Sequence, residues 1–337
     1  MTVITIPDPL SDDCRVALSD LLRLPVEQVM AAWKVSQTDR GYDWNLYGDR
    51  VIHVPQPLLS EVQRQILDRV LRTGPISPAA FSGVSGRSYV LAATRHLSGP
   101  PAETAALDIA DAFGSTTYGH VRGALWKRLK QELWILGLSG SESTAIVKVL
   151  SHLATVADRA RTRRLPLGSP SSVAMFNLIL LPLDGEMLRW CSEYGITYTR
   201  YVDDMVFSCP DGLPPDLESR VEAVVRRHRY RLNHGKTIRH AAGSARVHGL
   251  ERTTEGVVPG ADAVERFAAR ARWHQGKAVD ETSSRSQRER SYGFLRGLDV
   301  FLRQFYEAQD LQRPDSLRIV VPEGAERPVP PIDLLWN

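Results

Sequence analysis

Apolar side chains recur at helical and strand spacings in turn along the 337-residue chain. Residues 16–22 carry a helical pattern, 50–54 read as a strand, and 58–71 return to helical spacing with Val62, Ile66 and Val70 on one face. The chain therefore opens as alternating α and β. Beyond the glycine- and serine-rich stretch at 81–88, residues 105–109 form a short apolar run interrupted by Asp108, which the pattern places at a strand end. Helical spacing covers 120–136 and 143–157. A Gly-Ser-Pro-Ser-Ser turn at 168–172 leads into a helix whose apolar positions Phe176, Leu180, Leu183, Met187, Trp190 and Tyr194 step by three or four, with a kink expected at Pro182. Residues 196–208 read as two β-rich runs with Asp203 and Asp204 at the turn between them. Residues 216–230 are helical, with Leu217, Val221 and Val224 on one face; Arg226, Arg227, Arg229 and Arg231 gather at the C-terminal end, where cations complement the helix dipole. From Pro259 to about Gln309 the pattern is mainly helical, and a short proline-rich tail follows. No repeat and no low-complexity linker divides the chain.

Composition narrows the class. Apolar residues at 43% and charged residues at 24% exclude disordered, collagen-like and coiled-coil chains. The excess of 42 Lys and Arg over 39 Asp and Glu is only +3, so any affinity for polyanions rests on clustering. Arginines do cluster, at 159, 161, 163 and 164 and again at 266, 270, 272, 285, 288 and 290 beside Trp273 and Tyr292, a mixture suited to nucleic-acid phosphates. Cys14, Cys191 and Cys209 are far apart and form no CxxC pair, which argues against a disulfide framework and for a reducing, cytoplasmic setting. The start lacks a basic patch followed by an apolar run, and the most apolar stretch, 174–183, is short and broken by Asn177 and Pro182, so neither a signal peptide nor a membrane span is expected.

Candidate chemistry lies in the acidic residues set into apolar surroundings. Asp108 at one strand end and Asp203 with Asp204 at a hairpin tip are costly to hold together unless cations compensate them. Two Mg²⁺ ions, or Mn²⁺ in their place, bridged by such carboxylates activate a 3′-hydroxyl and stabilise leaving pyrophosphate, which is the chemistry of nucleotidyl transfer. Tyr-x-Asp-Asp alone is equally an ordinary β-turn with two solvated aspartates.

Order adds what the single motif lacks. Leu107-Asp108-Ile109-Ala110-Asp111-Ala112-Phe113, then the run from Leu165 to Ser172, then Tyr198 to Asp204, then Leu232-Asn233-His234-Gly235-Lys236-Thr237 resemble the successive palm motifs of reverse transcriptases. Ala92-Ala93-Thr94-Arg95-His96 and Val247-His248-Gly249 resemble signatures of the bacterial retron group, with Ala92 in place of Asn and His248 in place of Thr. The resemblance implies an α+β right-hand polymerase. Its parts are an N-terminal segment and fingers at 1–104, a palm with interleaved fingers helices at 105–250, a helical thumb at 251–312 and a tail at 313–337. It implies metal ligation by Asp108, Asp203 and Asp204, exclusion of a 2′-hydroxyl by Phe113, and close backbone approach to the nascent pair at Gly168 and Ser169. Lys236 would lie near the β- and γ-phosphates as an acid for pyrophosphate, following a strand, and Arg50 would hold the triphosphate. No catalytic role falls to Asp111.

The hairpin before Arg50, residues 41–48, is largely uncharged, and Leu167 stands where Gln is usual, as in diversity-generating enzymes. His96, Val247, His248, Arg270 and Arg272 are candidate RNA contacts. The implied function is synthesis of DNA from dNTPs on a structured noncoding RNA, yielding an RNA–DNA duplex in anti-phage defence with a separate effector protein and no membrane role. The alternatives are another defence-associated or diversity-generating reverse transcriptase, or a polymerase-shaped RNA-binding scaffold without turnover.

Overall fold

The computed structural model describes residues 10–47, 50–158, 161–254, 256–307, 311–313 and 315–321; Arg159, Gly48 and most of the expected tail at 313–337 lie outside them. Helix α1 (Asp12–Leu22) starts where the Ser11 side chain accepts from Cys14 N–H, and Asp12 and Asp13 suit the positive end of its dipole. Helix α2 (Val26–Ser36) follows directly. Strands β1 (Tyr42–Tyr47) and β2 (Arg50–Pro55) form an antiparallel hairpin paired from Tyr42 with Pro55 to Tyr47 with Arg50. Helix α3 (Pro57–Gln65), with proline in its first turn, continues into a wider π-helical turn at Ile66–Leu71. Helix α4 (Tyr89–Leu97) then leads to β3 (Glu103–Asp108), the short α5 (Ala112–Ser115), α6 (Tyr118–Ile135) and α7 (Gly140–Leu153), the last fixed by a reciprocal Ser139 and Glu142 capping box.

Strands β4 (Val156–Ala157) and β5 (Arg163–Arg164) make a small ladder ahead of α8 (Ser172–Glu193), which runs through Pro182 without interruption. Strands β6 (Thr197–Tyr201) and β7 (Asp204–Cys209), helix α9 (Leu217–Arg227) and β8 (Ile238–His240) complete the central region. Strands β9 (Arg246–Val247), β10 (Leu250–Arg252) and β11 (Val257–Pro259) form a second small sheet, and α10 (Ala261–Val279) and α11 (Arg285–Glu307) close the chain.

The central sheet has order β6-β7-β3-β8 with every pair antiparallel, and its two faces serve two cores. Ala105, Leu107, Met205 and Phe207 point into the larger core, built with α1, α2, α3, α6, α7 and α8. Ala106 and Val206 point the other way, into a core shared with Tyr89 and Ala93 of α4 and with Phe267, Leu295, Leu298 and Leu302 of the last two helices. The alternation of side chains along a strand assigns each residue to one core.

Three expectations are corrected by these elements. Helices α2 and α4 were not foreseen, α9 stops at Arg227 so that Arg229 and Arg231 lie beyond it, and Lys236 sits in a single 3₁₀ turn (His234–Lys236) ahead of β8 instead of after a strand. No helix among the described residues is long and apolar enough to cross a membrane.

Candidate active site

Strand pairing brings the acidic residues together. Asp108, the last residue of β3, is the cross-strand partner of Asp204, the first residue of β7, and Ile109 N–H donates to Asp203 O at 3.1 Å. Asp203 occupies the turn between β6 and β7. Val202 before it adopts a left-handed conformation, φ 56°, which is uncommon for a β-branched residue. Asp108 is buried, Asp203 is half-buried, and Asp204 is exposed.

Burial first, and then the neighbouring Asp108 charge, raises the Asp203 pKa above the usual carboxylate range. The same causes, burial followed by Asp203 and Asp108, push Asp204 up to about 7. Opposing charge is sparse: Lys236 Nζ donates to Asp108 Oδ1 at 3.4 Å, with its side chain about half exposed, and Arg50 at the start of β2 adds a weaker attraction on Asp203. Among the described residues no three His, Cys, Asp or Glu side chains are gathered tightly enough to make a closed cation site.

The other candidate site residues stand on separate elements. Asp111 is left-handed at φ 43° and starts α5, which places the half-buried Phe113 ring against Phe176 with centroids 5.6 Å apart. The turn before α8 is pinned to the hairpin, since His53 N–H donates to Leu167 O at 2.7 Å. Gly168 there has φ 107°, and a Cβ would stand 2.6 Å from Ile52 Cγ2 and 2.9 Å from His53 O, so only glycine fits. Ser169 turns inward and donates to Gln63 Oε1 at 2.8 Å, while Gln63 Nε2 donates to Tyr42 Oη and Leu153 O. The Ser169 side chain is thus engaged inside the protein, and only its backbone is left for a substrate.

One group with a direct hold on the aspartate turn escaped the sequence reading. Arg200 is fully buried; it donates through Nε and Nη2 to both oxygens of Asp184, at 2.9 and 2.7 Å, and through Nη1 to Asn177 Oδ1 and to Val202 O. Tyr198 Oη also donates to Asp184 Oδ1 at 2.9 Å. The Val202 carbonyl held by Arg200 is the residue immediately before Asp203, so Arg200 is a positioning residue for the turn. The available signal was a charge in each of two apolar runs, Arg200 in β6 and Asp184 on the buried stripe of α8.

Two of the five RNA-contact candidates are buried, and a third is partly so. His96 is buried on α4, its Nδ1 2.7 Å from Ser208 Oγ and its Nε2 2.8 Å from Thr199 Oγ1; burial drives its pKa down to about 3 and leaves it neutral and out of reach of RNA. Val247 lies in the second core. His248 adopts φ 50° with its ring 5.6 Å from that of Tyr201, and burial lowers its pKa to about 4, so it serves the junction between β9 and the central sheet. Arg270 lies over the Phe294 ring at 5.3 Å, whereas Arg272 is exposed on α10 next to Trp273.

No family model matches the chain. Among curated proteins it is similar to the retron Mx65 reverse transcriptase of Myxococcus xanthus, 31% identical over 239 residues that make up 68% of this chain and 53% of that protein. The retron Mx162 reverse transcriptase of the same organism is 32% identical over 202 residues, covering 56% of this chain and 41% of the relative. The retron Ec83 reverse transcriptase of Escherichia coli is 27% identical over 161 residues, 48% of this chain and 49% of the relative. The chain thus spans about half the length of the curated relatives it matches. Among solved structures, telomerase from Candida tropicalis in complex with a fragment of telomeric RNA superposes with a TM-score of 0.43 at 15% identity over 80% of this chain and 53% of the telomerase chain.

Proposed function

We propose that this chain, a relative of the bacterial retron reverse transcriptases, is an RNA-directed DNA polymerase whose active centre is the cluster of Asp108, Asp203 and Asp204. In that reading the sheet β6-β7-β3-β8 is the palm, the β1-β2 hairpin belongs to the fingers, and α10 with α11 forms the thumb. The observation that carries it is the pairing of Asp108 with Asp204 across neighbouring strands, with Asp203 on the turn and a single lysine alongside. Three carboxylates, two of them with raised proton affinity, facing one ammonium group leave an excess of negative charge that hard divalent cations suit. Bound there, two Mg²⁺ ions would neutralise the carboxylates and polarise the reacting phosphate.

The side chains of this protein do the rest. Asp108, Asp203 and Asp204 supply the oxygen donors. Lys236, held beside Asp108, is placed to give a proton to departing pyrophosphate, and Arg50 approaches the triphosphate from the hairpin. The Phe113 ring, backed by Phe176, closes the space that a 2′-hydroxyl would occupy, and the exposed backbone at Gly168 supports the nascent base pair. The template is a structured noncoding RNA, and the product is a short DNA held as an RNA–DNA duplex, acting in cytoplasmic anti-phage defence with a separate effector protein. Cys14, Cys191 and Cys209 are all free and buried, in keeping with a reducing compartment.

The test is extension of a primed RNA template by the purified chain with dNTPs and Mg²⁺. The expected result is DNA synthesis that Asp203→Asn lowers by about a thousandfold, on the order of 4 kcal/mol, with RNA binding and thermal unfolding nearly unchanged. RNA binding without any incorporation by the wild-type chain would replace the polymerase with the scaffold reading.

A further inference from the structure

Arginines crowd the β8 side of β3, and the polymerase reading gives them no task. At the end of α9, Arg229 N–H donates to Arg226 O and Tyr230 N–H to Val225 O at 3.0 Å, a reversal that sets Arg229 at φ 66°. Glycine is the usual occupant of that position, because a Cβ there crowds the following carbonyl. Arg231 comes next, and its carbonyl accepts from Ala110 N–H at 2.8 Å, two residues past Asp108. Tyr230 is buried, donates or accepts at Thr116 Oγ1 at 2.8 Å, and stacks on His120. Arg226, Arg229, Tyr230 and Arg231 line a cavity of about 480 Å³.

Arg226 is paired with Glu222 on its own helix, but Arg229 and Arg231 are exposed and have no acidic partner within 4.0 Å among the described residues. The helix dipole accounts for cations in the last turn, Arg226 and Arg227, and its influence fades beyond that turn. It gives no reason for Arg231, nor for a bulky residue at the left-handed position. A further donor nearby is also unused: Thr117 N–H occupies His120 Nδ1, and the buried His120 Nε2 has no partner.

We propose that Arg226, Arg229 and Arg231 form a phosphate-binding site, separate from the aspartate cluster, whose occupant is the sugar–phosphate backbone of an RNA strand. Guanidinium groups match phosphate oxygens in paired hydrogen bonds. The cavity is lined by Arg226, Arg229, Tyr230 and Arg231, a cationic set that the charged sugar–phosphate backbone answers more fully than a neutral base edge does. A free phosphate or pyrophosphate presents the same oxygens. The site and its test concern binding alone and stand whether or not the chain polymerises.

The test uses the full chain and a labelled single-stranded RNA of mixed sequence, followed by fluorescence anisotropy over a series of KCl concentrations. Arg229→Gly combined with Arg231→Ala is expected to weaken binding about fivefold to tenfold and to flatten the slope of log K against log salt by about 1.4, two contacts at ~0.7 each. Arg229→Gly suits the left-handed backbone, so thermal unfolding of that single variant should hold or rise while RNA binding falls, which separates loss of the site from loss of the fold. Arg231→Lys should keep most of the salt slope. Unchanged affinity and slope in the double variant would overturn the proposal. Loss of stabilisation by added inorganic pyrophosphate with RNA binding untouched would assign the site to a free anion and overturn the RNA assignment.

Discussion

Two sets of aspartates sit against the same sheet under opposite conditions. Asp184 is fully buried and completely answered: Arg200 grips both its oxygens, Tyr198 donates to one of them, and Asn177 takes a remaining Arg200 donor. Asp108, Asp203 and Asp204 face chiefly one another, and their principal cation, Lys236, is half in solvent and 3.4 Å away. Burial of charge is costly in either place. The protein cancels that cost with its own residues around Asp184, and leaves it largely standing at the proposed active centre. The two are also joined, because the arginine that satisfies Asp184 holds the carbonyl of Val202 at the start of the aspartate turn.

The strongest way to break this contrast is to strip Asp184 of its partner. Arg200→Leu should destabilise the chain by about 3–5 kcal/mol, since it leaves a carboxylate buried and unpaired. Arg200→Leu combined with Asp184→Leu should recover much of that loss in chemical denaturation while DNA synthesis stays low, because Val202 is still released. Full recovery of synthesis in the double variant would remove Arg200 from the positioning of Asp203.

Protonation sharpens the same contrast. Asp203 and Asp204 have folded-state pKa values above their unfolded ones, so they favour the folded state fully below the unfolded pKa, and that contribution is lost as pH rises through the folded pKa. Without divalent cations, stability should therefore fall between about pH 4 and pH 7. Added Mg²⁺ should cancel the fall, and Asp204→Asn should flatten it. Thermal unfolding across this range with and without Mg²⁺ measures the effect, and a metal-independent profile would count against the cluster as a cation site.

A smaller effect is expected where packing, and not charge, shapes the site. Phe113→Val removes the ring that Phe176 supports and should lower discrimination against ribonucleotides by about tenfold, the scale of a lost apolar contact, with little change in stability. Competition between dNTPs and rNTPs on one primed template reads it directly.

What the sequence disclosed follows the same division. Asp108, Asp203 and Asp204 stood out as charges set into apolar runs, and the order of the four motifs that resemble reverse transcriptases, not their spacing alone, gave them a role. The strands at 105–109 and 196–208 and the helices α6, α7 and α8 were legible through their apolar runs and stripes, while the pairing of β3 with β7 and β8 was not. Arg200 and Asp184 were not, because no spacing rule links a residue on α8 to one on β6; only the packed fold brings them together. His96 was misread for the converse reason. Its motif suggested an RNA contact, while α4 turns that face inward and satisfies both ring nitrogens with Thr199 and Ser208. Helix α2 carries apolar residues at helical spacing, Val29, Met30 and Trp33, yet it lies three residues after α1 with only Pro25 to mark its start, too short a gap to stand out as a boundary.

The division of the sheet between two cores sets the tolerance of the site itself. Ala106 and Val206 belong to one core and Leu107, Met205 and Phe207 to the other. Sliding β3 along β7 by one residue, a step of about 3.3 Å, would exchange the linings of both cores at once and carry Asp108 away from Asp204. The spacing of the carboxylates is in this sense digital: the backbone offers it in whole-residue steps, and the two cores together reject every odd one.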